Sequence, residues 1–301
     1  MRRGYLSYVS HGIGVLIATG LTLAALTAIS SLFPHISVGK GIQKSFAVHM
    51  RKGDAGEMSI GGTAGVSPAM LSPGGRETAE ERMALLQAYR ELNGDVAALI
   101  RIPRTVLNHP VVQTPEQEDY YLRRDLTGQE NSHGVPFLSA GSSLERDGGN
   151  SVIYGHNIHL SSRDVFCDLA YYEDLTYYQS HPLIETVTEA EVRYWLIFAY
   201  FLTDNGDPDP FRYSEITTFA DEKCFEEYLA EVERRNWLCV AANVSYGDTL
   251  LTLSSCSLEL AGSGTGRMVV MAKRLEEGEE FEAVVQSAVM RENPLLPERL
   301  Q

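Results

Sequence analysis

The feature that most limits the fold of this chain is its punctuation after Asn93-Gly94. Short runs rich in branched and aromatic residues alternate with turn-prone loops, at residues 98–102, 106–112, 135–138, 151–154, 192–202, 249–254 and 268–272. Runs of this size are too short for core helices and too regular for a disordered chain, so they read as strands. Seven or so strands separated by turns predict a mainly β body, a closed or nearly closed barrel. Three helices are expected around it. Residues 77–92 (ETAEERMALLQAYREL) begin acidic and carry Met83, Leu85, Leu86, Tyr89 and Leu92 at helical spacing, facing the body. Residues 163–174 and 218–235 form the other two, the second with a stripe of Phe219, Phe225, Leu229 and Val232 that lies against the barrel.

The amino terminus follows other rules. Residues 12–33 (GIGVLIATGLTLAALTAISSLF) are an uninterrupted apolar run. As a helix rising 1.5 Å per residue, such a run spans about 33 Å, the thickness of a bilayer's hydrocarbon core. It exceeds the usual signal-peptide core and no A-x-A site follows, so residues 1–37 are expected to be an uncleaved anchor. Arg2 and Arg3 precede the run while Lys40, Lys44, Arg51 and Lys52 follow it, so flanking charge does not orient it. Residues 38–76 hold nine glycines and few large apolar groups, which predicts a flexible tether. The folded body is expected over 77–278 and a carboxyl-terminal tail over 279–301.

Charge excludes one class of partner. The net charge of -15 divides into +5 for residues 1–76 and -20 for residues 77–301. A body so acidic repels phosphate backbones, so nucleic acid is not expected to bind.

Four cysteines narrow the chemistry. None lies in a C-x-x-C pair or beside a ligand-spaced histidine, so zinc is not indicated, and no acidic run has a calcium-loop pattern. Spacing leaves two disulfides open as an alternative. Cys167, Cys224 and Cys239 are expected to be buried thiols. Cys256 differs: it follows the strand 250–254 in LLTLSSC, where a thiol is presented at an open strand end. Reactivity there needs a base or cation to generate or hold a thiolate. His156 follows a predicted strand in SVIYGHN, and Arg267 opens the run RMVVMA, so a hairpin could bring guanidinium and sulfur to one rim. His159 and His181 compete with His156, as Lys273 and Arg274 do with Arg267. Ser254, Ser255, Glu259 and Asn157 are candidates for touching substrate at the same rim.

Taken together, YGHN (154–157), TLSSC (252–256) and GRMVVMAKR (266–274) resemble the histidine, cysteine and arginine motifs of sortases, the membrane-anchored cysteine transpeptidases of Gram-positive bacteria. The resemblance extends through HPVVQTPEQEDYYLRRDLTG (109–128), GVPFL (134–138), VFCDLAYYED (165–174) and HPLIETVT (181–188), in the family's order. Ser255 stands where the family usually has threonine, the loop between Cys256 and Arg267 is longer and glycine-rich, the first strand lacks a common tryptophan, and Ser139 stands where aspartate is frequent. The amino-terminal helix and the helix at 218–235 resemble class B. The resemblance implies a seven- to eight-stranded barrel and no cofactor. It also implies that Cys256 attacks a threonine carbonyl in a sorting motif near the carboxyl terminus of a secreted protein. His156 would serve as acid and base, Arg267 would hold the oxyanion or substrate backbone, and an amine would resolve the thioacyl enzyme. That amine is a peptidoglycan cross-bridge or a pilin lysine. The implied place is the cell membrane, single-pass, with the body outside. The residues alone leave two rivals open, a secreted cysteine hydrolase and a non-catalytic tethered binding module.

Overall fold

A computed structural model describes residues 77–157, 165–260 and 262–301. The proposed span at 12–33 and the tether at 38–76 lie outside the described residues. Among the described residues no helix is long and apolar enough to cross a membrane.

The elements in chain order are α1 (Ala79–Leu92), β1 (Val96–Arg101), β2 (Asn108–Val112), β3 (Phe137–Leu138), β4 (Gly149–Tyr154), α2 (Leu175–Ser180), β5 (Leu183–Val187), β6 (Val192–Asp204), α3 (Glu222–Arg235), β7 (Leu238–Cys239), β8 (Thr249–Cys256), β9 (Gly266–Arg274), α4 (Glu282–Ser287) and β10 (Val289–Met290). Eight strands close a barrel in the order β1-β2-β3-β4-β8-β9-β6-β5. The β2–β3 and β4–β8 pairings are parallel and the other six antiparallel. Closure leaves no free sheet edge, and Leu251, Leu253, Val269, Val270 and Met271 are fully buried, which accounts for the near-continuous apolar runs of β8 and β9.

Helix α1 starts at a capping box: the Thr78 hydroxyl accepts from Glu81 N at 3.2 Å, and Thr78 N donates to the Glu81 carboxylate at 2.7 Å. Leu85, Leu86 and Tyr89 pack inward as their spacing predicts, whereas Leu92 is exposed at the fraying end. The face also buries Arg82, which no apolar periodicity announces. Arg82 Nε donates to Glu185 of β5 at 3.2 Å, and Arg101 of β1 meets the other oxygen of the same carboxylate at 2.7 Å. Glu77 pairs with Arg101 at 2.9 Å, so the helix is fixed to the barrel wall by charge as well as by packing. This explains why β5 did not read as a strand: its glutamate is buried because two guanidinium groups meet it.

The expected helix at 163–174 is instead a 3-10 turn, Cys167–Glu173, followed by α2. Asp174 ends the first and caps the second, accepting from Thr176 N at 2.7 Å and Tyr177 N at 3.0 Å. Helix α3 begins at Glu222, after the Asp221 cap, and its buried face is Phe225, Tyr228, Val232 and Arg235. Phe219 precedes the helix and packs edge-on against Phe225 at 4.8 Å. Residues 279–301 carry α4 and β10, and β10 pairs with β7 while Leu295 N donates to Arg234 O at 2.7 Å.

None of the four cysteines is disulfide-bonded. Cys167 is buried and Cys239 half-buried, but Cys224 is exposed. It sits in the first turn of α3 on the solvent side, where helical spacing from Phe225 turns it away from the core.

Candidate active site

Strand register builds the site. In the antiparallel β8–β9 ladder Cys256 lies directly opposite Arg267, so the two side chains leave the same face at the same height. In the parallel β4–β8 ladder Tyr154 is level with Ser254, and the chain continues upward beside β8. Gly155 N donates to Ser254 O at 3.1 Å, the Ser255 hydroxyl donates to Gly155 O at 2.7 Å, and Asn157 Nδ2 donates to Cys256 O at 3.2 Å. His156 is thereby held level with Cys256. The thiol, the imidazole and the guanidinium come from three neighbouring strands at one end of the barrel.

Their environments differ. Cys256 is the exposed residue of β8, whose other seven residues are buried. His156 is half-buried and its Nε2 lies 2.7 Å from Leu122 O, in the crossover between β2 and β3. Burial holds its pKa below the ordinary value; the Leu122 carbonyl works against that shift, while nearby Arg123 and His133 add to it. The backbone behind the ring is tight. A Cβ on Gly155 would stand 2.6 Å from the Phe166 ring, and Phe166 N donates to His156 O at 3.0 Å. Arg267 is half-buried, and its Nη1 donates to Gly266 O at 2.9 Å. Tyr154 and the fully buried Tyr213 lie within reach of its charge, and burial raises the pKa of both phenols.

The loop joining Cys256 to Arg267 is tied down at its arginine end despite its glycines. Buried Asp204 on β6 accepts from Thr265 Oγ1 at 2.5 Å and from Gly206 N at 2.9 Å. The Ser263 hydroxyl accepts from Thr265 N and Gly266 N. These bonds hold the arginine end of the loop against β6, with Arg267 in register opposite Cys256.

Three of the residues expected to touch substrate occupy framework positions instead. Ser254 is 1% exposed and its hydroxyl shares a 2.7 Å hydrogen bond with Tyr213. Ser255 is 2% exposed and committed to Gly155, and Asn157 is 6% exposed and committed to Cys256. Each is covered because the neighbouring strand or the loop above it supplies its partner. Glu259 is exposed on the loop, and the carboxyl of Glu173 is pushed up by partial burial and then by the charge of Glu259.

The rivals among the described residues lie elsewhere. His181 stacks on Tyr177 at 4.4 Å between ring centres and donates from Nδ1 to Tyr177 O. Lys273 and Arg274 lie at the opposite end of β9 and pair with Glu279 and Glu191. His159 falls outside the described residues. Residues of the site that sequence reasoning missed are Tyr154, Tyr213 and Leu122. The last contributes a main-chain oxygen, for which no side-chain signal exists. Among the described residues no three His, Cys, Asp or Glu side chains converge as a metal site.

A closed mixed barrel with a thiol, an imidazole and a guanidinium at one rim is the architecture expected of a cysteine transpeptidase. The sequence is 31% identical over 191 residues to sortase B of Listeria monocytogenes and 27% identical over 187 residues to sortase B of Staphylococcus aureus. Each match covers 62% of this chain and 73% of the relative. The fold superposes on a Staphylococcus aureus sortase B–substrate complex with a TM-score of 0.57 and 25% identity, covering 64% of this chain and 86% of that one. No protein-family model matches the sequence. The chain belongs to the sortase B family.

Proposed function

We propose that this protein is a membrane-anchored transpeptidase that joins secreted proteins to an amine at the cell surface. The observation that carries the reading is the convergence of Cys256, His156 and Arg267 on adjacent strands. The Cys256 thiolate attacks the carbonyl carbon of a threonine in the sorting motif, forming a C–S bond. As the tetrahedral adduct collapses, the C–N bond breaks and His156 delivers a proton to the departing amine. The thioacyl enzyme is then attacked by a second amine, which passes its proton to His156, and the thiolate leaves. Arg267, already level with the sulfur, donates to the oxyanion or the substrate backbone; loss of one such donor costs about 10² to 10³ in rate. Nη1 of Arg267 donates to Gly266 O, and the remaining N–H donors of the guanidinium are left to meet the acyl group.

The substrate class is a secreted protein with a carboxyl-terminal sorting signal, and the acceptor is a peptidoglycan cross-bridge amine or a pilin lysine. Residues 12–33 anchor the enzyme in the cell membrane with the acidic body outside, where both substrates are found.

The test incubates the full chain with a library of five-residue motif peptides and reads thioacyl adducts by mass, with and without an added amine. The expected result is an adduct on Cys256, absent in Cys256→Ala, and a peptide–amine product when the amine is present. An adduct on another cysteine overturns the site assignment, and release to water alone in the presence of amine makes the enzyme a hydrolase.

A further inference from the structure

An imidazole that moves protons at one nitrogen needs its other nitrogen fixed by a partner. Among the described residues the partner is a main-chain oxygen rather than a carboxylate or carboxamide side chain. Leu122 lies in the 3-10 turn Tyr120–Arg123, inside the crossover that runs over the rim from β2 to β3. The carbonyls on either side of it are spent within that crossover. Tyr121 O accepts from Val135 N at 3.1 Å, and Arg123 O accepts from Asn131 N at 2.9 Å. The intervening Leu122 oxygen turns instead to His156 Nε2 at 2.7 Å. A carbonyl oxygen only accepts, so Nε2 carries the proton and Nδ1 is the nitrogen left to exchange one. The crossover is itself braced: Asp125 accepts from Thr127 N, Thr127 Oγ1 and Gln129 N, and Tyr121 donates to Asp95 at 2.7 Å.

One residue decides whether that oxygen can stand where it does. Gly134 has φ +60, and a Cβ built there would lie 2.4 Å from Leu122 O and 2.7 Å from Tyr121 O. Any side chain at 134 meets backbone, which has no rotamer with which to yield, and adopts a left-handed conformation as well. Nothing in the side chains of Leu122 or Gly134 betrays this role.

We propose that the Leu122 carbonyl is the positioning acceptor of His156, fixing Nε2–H and making Nδ1 the proton-exchanging nitrogen, and that Gly134 is the positioning residue that keeps this carbonyl in place. The inference rests on the acid–base role given to His156 above. Gly128 provides the control. It lies in the same crossover with φ +78, but a Cβ there would meet only the Tyr120 hydroxyl, at 3.5 Å. Backbone strain is common to both substitutions, and the approach to Leu122 is confined to one.

The experiment is proton–nitrogen NMR of the histidine-labelled full chain in detergent micelles at neutral pH, paired with thioacylation rates. The His156 resonance is assigned by its loss in His156→Gln. The wild-type protein is expected to show a slowly exchanging Nε2–H for His156. Gly134→Ala should lose that resonance to solvent exchange and acylate at least about tenfold more slowly, while Gly128→Ala keeps the resonance and acylates within about twofold of the wild type. A wild-type imidazole protonated on Nδ1, or exchanging freely at Nε2, overturns the proposal, as does a Gly134→Ala protein that retains the protected proton or a Gly128→Ala protein that loses it equally. If Gly134→Ala does not fold, the wild-type resonance decides alone. If the wild type forms no thioacyl adduct, the functional reading fails, and the NMR result still stands or falls by itself.

Discussion

Asn157 Nδ2 donates to the carbonyl oxygen of Cys256 across 3.2 Å, tying the residue after the imidazole to the backbone of the residue that bears the thiol. The bond crosses from the end of β4 to the end of β8, past the last paired residues of that ladder. It makes the separation of the two reactive groups a property of the framework.

Replacing Asn157 with alanine is therefore expected to act on rate more than on stability. One lost hydrogen bond costs about 1 kcal/mol in folding. Loss of registration between imidazole and thiol is expected to lower kcat/KM by about tenfold or more, since a misplacement near 1 Å is sufficient. Thermal unfolding and acylation kinetics of the same preparation separate the two effects. Unchanged kinetics would show that the ladder alone holds the geometry.

The Glu185 carboxylate is the joint between α1 and the barrel. Arg82 and Arg101 reach it at 3.2 and 2.7 Å, and all three side chains are buried. Burial lowers the pKa of the Arg82 guanidinium, and Glu185 opposes that shift. Glu185→Ala leaves two buried cations with only the more exposed Glu77 to meet them, and a loss of about 3–5 kcal/mol is expected in urea unfolding. Glu185→Gln, which keeps the shape without the charge, should recover part of it.

Acid should unfold the body through histidine. His109 on β2 has its pKa lowered to about 4 by burial, and its buried Nε2 has no hydrogen-bond partner. The unfolded chain takes up the proton near pH 6.5 and the folded one does not, so the unfolded state binds more protons between about pH 6.5 and 4. Stability is thus intact above pH 6.5 and declines as the pH falls toward 4. His156 and His181, also lowered by burial, add to the same slope. Melting temperatures measured from pH 7 to pH 4.5 should fall steadily, and His109→Asn should flatten the curve. A flat wild-type profile would contradict the burial of these rings.

Alkylation should distinguish the thiols. Cys224 and Cys256 are exposed and Cys167 is buried, so iodoacetamide is expected to label the first two and spare the third in the folded protein. Cys224 should react slowly for an exposed thiol, because the Asp221 carboxylate accepts a hydrogen bond from its S–H and raises its pKa. Asp221→Asn should speed its labelling, read by peptide mass. Labelling of Cys167 at native pH would contradict the burial of the turn Cys167–Glu173.

Much of the barrel was legible because its strands are short apolar runs bounded by turns, and the placement of Cys256 and Arg267 at strand ends was legible for the same reason. Strand β5 was not, since a buried glutamate in LIETV reads as a surface residue until its two arginines are known. The turn at Cys167–Glu173 read as an α-helix because composition does not distinguish 3-10 from α geometry over seven residues. Ser254, Ser255 and Asn157 were assigned to the rim by their nearness in sequence to Cys256 and His156, while their burial depends on partners about 40 to 100 positions away.

What the chain determined by itself was local: alternation between apolar run and turn, and a thiol, an imidazole and a guanidinium each left at a strand end. What the tertiary structure decided was the pairing of β4 with β8 and of β8 with β9, which sets those three groups level, and the carbonyl of Leu122 against His156. Pairing across a hundred residues is fixed by the closure of the barrel and the burial it brings, and a main-chain oxygen looks the same at every position of a sequence until the fold aims it.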